Sequence, residues 1–379
     1  MILAGGDVHD KSILVKVAVG RGESEVESWS NNARGRKSLL RSLRARARRA
    51  RTAEIYFAYE ASSVGFGLCD ELSEAGVNCS VLAPTKIRKS VHERKRKTDE
   101  KDAERILEVL RGHVLAGNKL PAVWVPDMET RDDRELLRTR LEVSSGITSL
   151  KTRIRMLLKR NGLKTPKDAG ESWTVEHWKW LKGLAGEGSE LGFGARHALR
   201  SLMERLEFCE DHCGELDRAV AVLSRTERYR EQVKELKVLK GVGLLTAMVF
   251  LTEMGDLGRF SNRREVGAYL GLAPAAFESG EASDRKGRIT KEGPSRVRRV
   301  LCQATWARVR THAPEKRFYE RVVLRNPKHK KKAVVASMRR LAIRMWHAGL
   351  RAAPADCGSA SPTSSTGDPF STRCRSDRR

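Results

Sequence analysis

The sequence predicts an α/β domain at the N-terminus followed by a mostly helical remainder. Three observations carry that prediction. Apolar runs of strand length alternate with helix-like stretches over roughly the first hundred residues. From about Arg131 onward, apolar residues step by three and four. Between these regions, in "KTDEKDAERI", Asp99 and Asp102 stand three apart, a spacing that puts both carboxylates on one helix face.

Taken in order, "MILAGGDV", "KSILVKVAV" and the weaker "SEVESW" are three strands separated by turn residues. "ARGRKSLLRSLRARARRAR", Ala33 to Arg51, is a very basic helix containing no acid. "AEIYFAYEA" is a fourth strand, "GFGLCDELSEAG" a helix ended by Gly76, and "VNCSVLAP" a fifth strand closed by Pro84. Three strands, helix, strand, helix, strand is the order of an α/β ribonuclease-H/RuvC-like fold. Its first and fourth strands are neighbours, and α/β domains of this kind carry their sites at strand ends.

Beyond this domain, Val143, Ile147, Leu150, Ile154 and Leu157 repeat the helical period. So do Leu199, Leu202, Leu206, Cys209, Cys213, Leu216, Val220 and Leu223. The two segments predict long helices forming a coiled-coil arm, either an antiparallel hairpin or a dimerising element. The joining stretch contains Trp173, Trp178 and Trp180, which are expected to pack at its tip. "LKVLKGVGLLTAMVFLTEMGD" places Gly241 and Gly243 between two apolar helical patterns, the layout of a helix-hairpin-helix, in which glycines let backbone amides approach phosphate. The expected domains are therefore 1–125 (metal-dependent domain), 126–230 (helical arm), 231–350 (mostly α C-terminal domain) and 351–379 (disordered polar tail).

Lys and Arg number 74 against 48 Asp and Glu, a formal net charge of +26 spread along the chain. That excess points to a polyanionic partner. No stretch approaches the roughly 20 apolar residues of a spanning helix and no signal peptide opens the chain, so a soluble, cytoplasmic protein with no membrane partner is expected. Seven scattered cysteines argue against a disulfide framework. The expected nucleic-acid contacts are Arg44, Arg46, Arg48 and Arg49 of the basic helix, Lys95, Arg96 and Lys97 before the aspartate pair, and the glycines of the hairpin. Arg285, Lys286, Lys291, Arg296, Arg298 and Arg299 join them.

Four carboxylates stand out. Asp7 ends the first strand, Glu60 ends the fourth, and Asp99 and Asp102 open the helix after the fifth, with Thr98 as its N-cap. If the first and fourth strands are neighbours, Asp7 and Glu60 converge and the aspartate pair closes over them. Such a cluster suits Mg²⁺ (or Mn²⁺), whose shell phosphate oxygens complete. Two such ions can stabilise the attacking and leaving oxygens of an in-line displacement. Read singly, each of these acids is an ordinary cap or salt-bridge partner. It is the strand-end placement of the set that makes a site.

The segments "GGDVHDKSI", "FAYEASSVGFGLCDELSEAGVNCSVLAP" and "KTDEKDAERI" with the following "VWVP" resemble the N-terminal domain of IS110/IS1111 (IS116/IS110/IS902) family transposases. The D-E-D-D tetrad of that group falls on Asp7, Glu60, Asp99 and Asp102. "VLKGVGLLTAMVFLTEMGDLGRFSNRREVGAYLGLAP", "ESG", "GRITKEG" and "RVRRVL" resemble its C-terminal domain, in the same order, so the likeness spans about residues 1–345. The resemblance implies a DNA transposase or site-specific recombinase with a composite site: a RuvC-like metal domain and a serine nucleophile. The serine falls best on Ser279, with Ser283 and Ser295 nearby and Glu278 and Glu281 flanking it. It also implies donor and target DNA, a structured noncoding bridge RNA, and a homo-oligomer, dimer or tetramer. A RuvC-like junction resolvase acting by metal-dependent hydrolysis, and a non-catalytic nucleic-acid scaffold, are the rival classes.

Overall fold

A computed structural model of the chain describes residues 1–87, 98–170, 172–276 and 286–353. The chain divides into two compact units, one ending at Pro126 and the other beginning at Asp127.

The first unit holds strands β1 (Ile2–Val8), β2 (Ser12–Val19) and β3 (Ser24–Ser30), helix α1 (Ala33–Arg49), strand β4 (Ile55–Glu60), helix α2 (Gly67–Glu74), strand β5 (Asn78–Leu82) and helix α3 (Asp99–Ala116). The five strands make one mixed sheet in the order β3-β2-β1-β4-β5. Pairing is antiparallel between β1, β2 and β3 and parallel between β1, β4 and β5, so the first and fourth strands are neighbours as expected. β1 is central and covered on both faces, which is why its apolar run barely alternates. On one face Ile2, Ala4, Ile55, Phe57 and Tyr59 pack with Leu39 and Leu43 of α1 and Leu68 and Leu72 of α2. On the other, Leu3, Ala58 and Leu82 pack with Ile106, Leu107 and Leu110 of α3.

Helix α1 ends two residues before the sequence suggests. Arg51 takes a left-handed φ of 48°, and the N–H groups of Arg51 and Thr52 donate to the carbonyls of Arg48 and Ala47. This is a Schellman ending with arginine where glycine is usual. The edge of β5 is covered by residues 121–123, whose backbone pairs with Val81 and Ala83.

The second unit is mostly helical: α4 (Met128–Arg160), α5 (Val175–Leu184), α6 (Phe193–Leu223), α7 (Arg230–Val238), α8 (Leu244–Met254), α9 (Arg263–Tyr269), strands β6 (Pro274–Ala276) and β7 (Lys286–Ile289), then α10 (Ser295–Thr311), α11 (Ala313–Arg325) and α12 (Lys330–Arg351). Helices α4 and α6 run antiparallel, because Arg140 pairs with Asp217 and Lys151 with Glu210, one number rising as the other falls. Leu150, Ile154 and Leu157 meet Leu199, Met203 and Leu206 between them, while Cys209 lies at the margin of that cluster. The three tryptophans gather around the buried His177.

Helix α8 is buried from Ala247 to Met254 and packs against α4, α7 and α10, as a helix apolar all round must. Arg134 of α4 donates to the carbonyls of Thr252 and Glu253, satisfying the C-terminal end of α8.

Candidate active site

Asp7 and Glu60 stand at the same ends of paired parallel strands, each one residue past the last matched position, Gly6 opposite Tyr59. Side chains alternate along a strand, so Leu3, Gly5 and Asp7 share one face, and Ala58 and Glu60 share the same face of the neighbour. That face is the one α3 covers. The approach of α3 is set by Gly5, where a Cβ would strike the backbone amide of Leu107 and come within 2.6 Å of the Ala103 carbonyl oxygen. Only a residue without a side chain lets the helix backbone rest on the strand. The N-terminal turn of α3 is thereby brought over the end of β1.

That turn is capped by Thr98, whose hydroxyl accepts from the Lys101 N–H, and it carries Asp99, Glu100 and Asp102 where the helix dipole favours acids. Lys16, opposite Gly5 on β2, binds Glu100 at 2.9 Å and Glu104 at 3.1 Å and fastens the helix laterally. Asp102 is buried and accepts from Arg105 at 2.6 Å.

Asp7 and Asp99 are brought together through His9. The His9 Nε2 lies 3.2 Å from Asp7 Oδ2 and 3.7 Å from Asp99 Oδ2, and one ligand atom from each of the three residues falls within 4.8 Å of the others. Burial pushes the Asp7 carboxyl above its ordinary range; His9 opposes the rise, and Asp99 and Asp102 add to it. The Asp7 side chain is 15% exposed. A partly buried carboxylate among other carboxylates favours a cation or a proton.

The remaining expected residues are dispersed. Lys95, Arg96, Lys97, Ser279, Ser283 and Arg285 lie outside the described residues. On α1, Arg48 and Arg49 are exposed, Arg44 donates to the Ala75 carbonyl, and Arg46 is held by Glu25 and Glu27 of β3. Lys286 lies in β7, and Lys291 has a left-handed φ of 58° in the turn before α10. Arg296 is exposed, whereas Arg299 donates to the Leu141 carbonyl and Arg298 to those of Leu270, Glu292 and Gly293.

Gly241 has a φ of 87° and lies against α10, where a Cβ would come within 2.6 Å of the Ala304 carbonyl oxygen. Gly243 begins α8 with open space around it. The β6–β7 pair, Ala276 opposite Lys286, brackets the segment that carries Ser279.

Sequence reasoning missed His9 and Gly5. Both had a signal: "GGDVHD" places a histidine two residues past the strand-end aspartate, hence on its face, and a glycine within an apolar strand marks a close backbone approach.

A mixed five-stranded sheet with carboxylates at the ends of its central strands, under the N-terminus of a packed helix, defines a ribonuclease-H-type domain with a candidate acidic site. Comparison with known proteins identifies the kind. The model of the IS116/IS110/IS902 transposase family matches residues 233–320, and a DEDD transposase model of the IS110 type matches residues 4–161. A putative transposase (y4qE) of Sinorhizobium fredii is 30% identical over 302 residues, 80% of this chain and 70% of that protein. The transposase for insertion sequence element IS1533 of Leptospira borgpetersenii is 29% identical, over 67% of this chain and 70% of its own length. The transposase for insertion sequence element IS1111A of Coxiella burnetii is 25% identical, over 62% of this chain and 60% of its own length. The chain belongs to the IS110 (IS116/IS110/IS902) family of transposases, enzymes that bind, cut and rejoin DNA. Among the described residues, no helix is long and apolar enough to cross a membrane.

Proposed function

We propose that the chain excises and inserts an insertion sequence by phosphoryl transfer on DNA. The reaction uses a divalent cation, Mg²⁺ or Mn²⁺, held by Asp7, Glu60, Asp99 and Asp102, and a serine nucleophile, Ser279. The observation that carries the reading is the convergence of Asp7 and Asp99 at the end of β1, with Asp102 close enough to raise the Asp7 carboxyl. The donors are hard oxygens, and the carboxylates of Asp7 and Asp99 lie close together with the Asp7 carboxyl raised, so the set fits such a cation. The bound cation would supply charge neutralisation at the phosphate.

The serine hydroxyl attacks phosphorus and gives up its proton; the P–O bond to the deoxyribose breaks, and the released oxygen takes up a proton. The phosphoserine ester retains the bond energy, so a second strand can be joined without a nucleotide cofactor. Arg296 and the other exposed bases near α10 are suited to hold the DNA backbone. On the same reading residues 126–230 are a coiled-coil arm that assembles a dimer or tetramer. Residues 231–350 include a helix-hairpin-helix in which Gly243 meets phosphate while Gly241 permits packing on α10. A structured RNA selects the DNA, and the assembly works at the nucleoid.

The test is a search for a covalent protein–DNA adduct, using the full-length chain with co-purifying RNA, Mg²⁺ and labelled DNA that carries the junction flanking the element. An adduct at Ser279 that disappears in Ser279→Ala and in Asp7→Ala is expected. Cleavage without an adduct would instead assign hydrolysis by the acids alone, and an adduct on Ser283 or Ser295 would move the nucleophile.

A further inference from the structure

We infer that His9 is itself a ligand of the cation at this site, so that the ion the site prefers is Mn²⁺ over Mg²⁺. The inference rests on the reading that Asp7 and Asp99 hold a divalent ion. Four carboxylates alone would present only oxygen. An imidazole nitrogen changes the selectivity, because Mg²⁺ rarely gives up oxygen and water for nitrogen, whereas Mn²⁺, which also favours oxygen, tolerates an imidazole among carboxylates.

The placement of His9 supports this. It follows Asp7 by two residues, so its side chain leaves the chain on the face that α3 covers. Its backbone is fixed at both polar groups: the N–H donates to the Ser12 carbonyl at 2.9 Å, and the carbonyl accepts from Asn31 Nδ2 at 2.7 Å. Asn31 is fixed in turn, its N–H donating to the Lys11 carbonyl at 2.9 Å and its Oδ1 accepting from Arg36 at 3.0 Å. The β1–β2 turn and the start of α1 thus act together to fix the backbone from which the His9 side chain, 45% exposed, reaches Asp7 and Asp99.

The spacing also suits shared ligation. Two ligands at right angles, each about 2.2 Å from one ion, stand about 3.1 Å apart. The observed separation of His9 Nε2 and Asp7 Oδ2 is 3.2 Å, and that to Asp99 Oδ2 is 3.7 Å, which a small rotation of the exposed Asp99 side chain closes. A histidine serving only to orient Asp7 by a hydrogen bond would give the same distance to Asp7, so the two roles must be separated spectroscopically.

The full-length protein, stripped of metal, would be loaded with Mn²⁺ and measured by electron spin-echo envelope modulation. The expected result is a directly bound nitrogen whose modulation changes on ¹⁵N-histidine labelling and is lost in His9→Ala. Mn²⁺ affinity by calorimetry should fall about ten-fold or more in that variant, with Mg²⁺ affinity changed less than about two-fold. His9→Asn, which keeps a polar side chain at the position, should also lose the signal while keeping Mg²⁺ affinity within about two-fold, which separates loss of the ligand from misfolding. Mn²⁺ that binds in an Asp7-dependent manner without histidine coupling, or with coupling that survives His9→Ala, overturns the assignment and leaves the metal reading standing. If Asp7→Asn does not alter Mn²⁺ binding, or none binds, both readings fall.

Discussion

Carboxylates in the two compact units are surrounded in opposite ways. In the second unit, Glu253 is met by Arg138 at 3.1 Å and Arg134 at 3.9 Å, Glu315 by Arg308 at 3.3 Å, and Asp133 by the Tyr229 hydroxyl at 2.6 Å with Arg228 beside it. In the first, Asp7 and Asp99 face His9 and one another, and among the described residues no lysine or arginine stands within salt-bridge distance of either. The contrast even runs along a single helix, since Glu100 and Glu104 of α3 have a cationic partner in Lys16. An acid that serves the fold is folded together with its donor. An acid kept for chemistry is brought to an edge, where the counter-charge arrives from outside.

The comparison can be broken first at its most buried member. Arg308→Met leaves Glu315, 2% exposed, with Arg344 at 3.9 Å as its remaining cation among the described residues, and should cost about 3–5 kcal/mol in urea unfolding. The double variant Arg308→Met with Glu315→Met should recover much of it. A loss below about 1 kcal/mol would mean the pair is not structural.

Gly5→Ala tests the edge. The added methyl meets α3 backbone, which cannot rotate away, so a loss of about 1–3 kcal/mol or more is expected, with Asp7-dependent metal binding weakened. Unchanged melting and metal titration would remove Gly5 from the site's support.

Tyr229→Phe deprives Asp133 of its hydroxyl donor and should cost about 1–3 kcal/mol at neutral pH. Burial already holds the Asp133 carboxyl above its ordinary 3.8, with the Tyr229 bond working against that rise. The cost should therefore shrink as falling pH protonates Asp133, and a cost independent of pH would contradict the account.

The smallest effect is expected from Asp7→Asn, and its sign is opposite. Because the folded carboxyl titrates above its ordinary 3.8, ionising it costs the metal-free fold stability as pH rises through the raised value. The amide should thus raise the melting temperature slightly at neutral pH in the presence of chelator, and the gain should vanish below about pH 3.8. A lower melting temperature at neutral pH would show that Asp7 is a structural acid like those of the second unit.

The parts of this comparison visible in the sequence were those governed by local periodicity. Strand-length runs placed Asp7 and Glu60 at strand ends, the steps of three and four found α4 and α6, and Thr98 was recognisable as a cap. What stayed hidden was pairing between distant segments. Nothing near Arg46 announces that β3 will set Glu25 and Glu27 against it, and nothing near Arg298 announces the three carbonyls it binds. In sequence a run of bases therefore looks like a uniform nucleic-acid surface, although some of its members are spent within the fold. Gly5 signalled a close approach without saying that α3 would make it, and the left-handed Arg51 that ends α1 carries no compositional mark.

The contact at Gly5 has a further consequence for how such a chain tolerates change. Where a helix rests on a strand through side chains, every exchange of leucine for valine alters the gap between them. Here the closest approach is limited by backbone atoms, so smaller side chains elsewhere in the layer cannot bring strand and helix nearer at that point. A floor on the separation of β1 and α3, and so of the backbones that carry Asp7 and Asp99, is thereby set by main-chain atoms and not by the side chains of the hydrophobic layer.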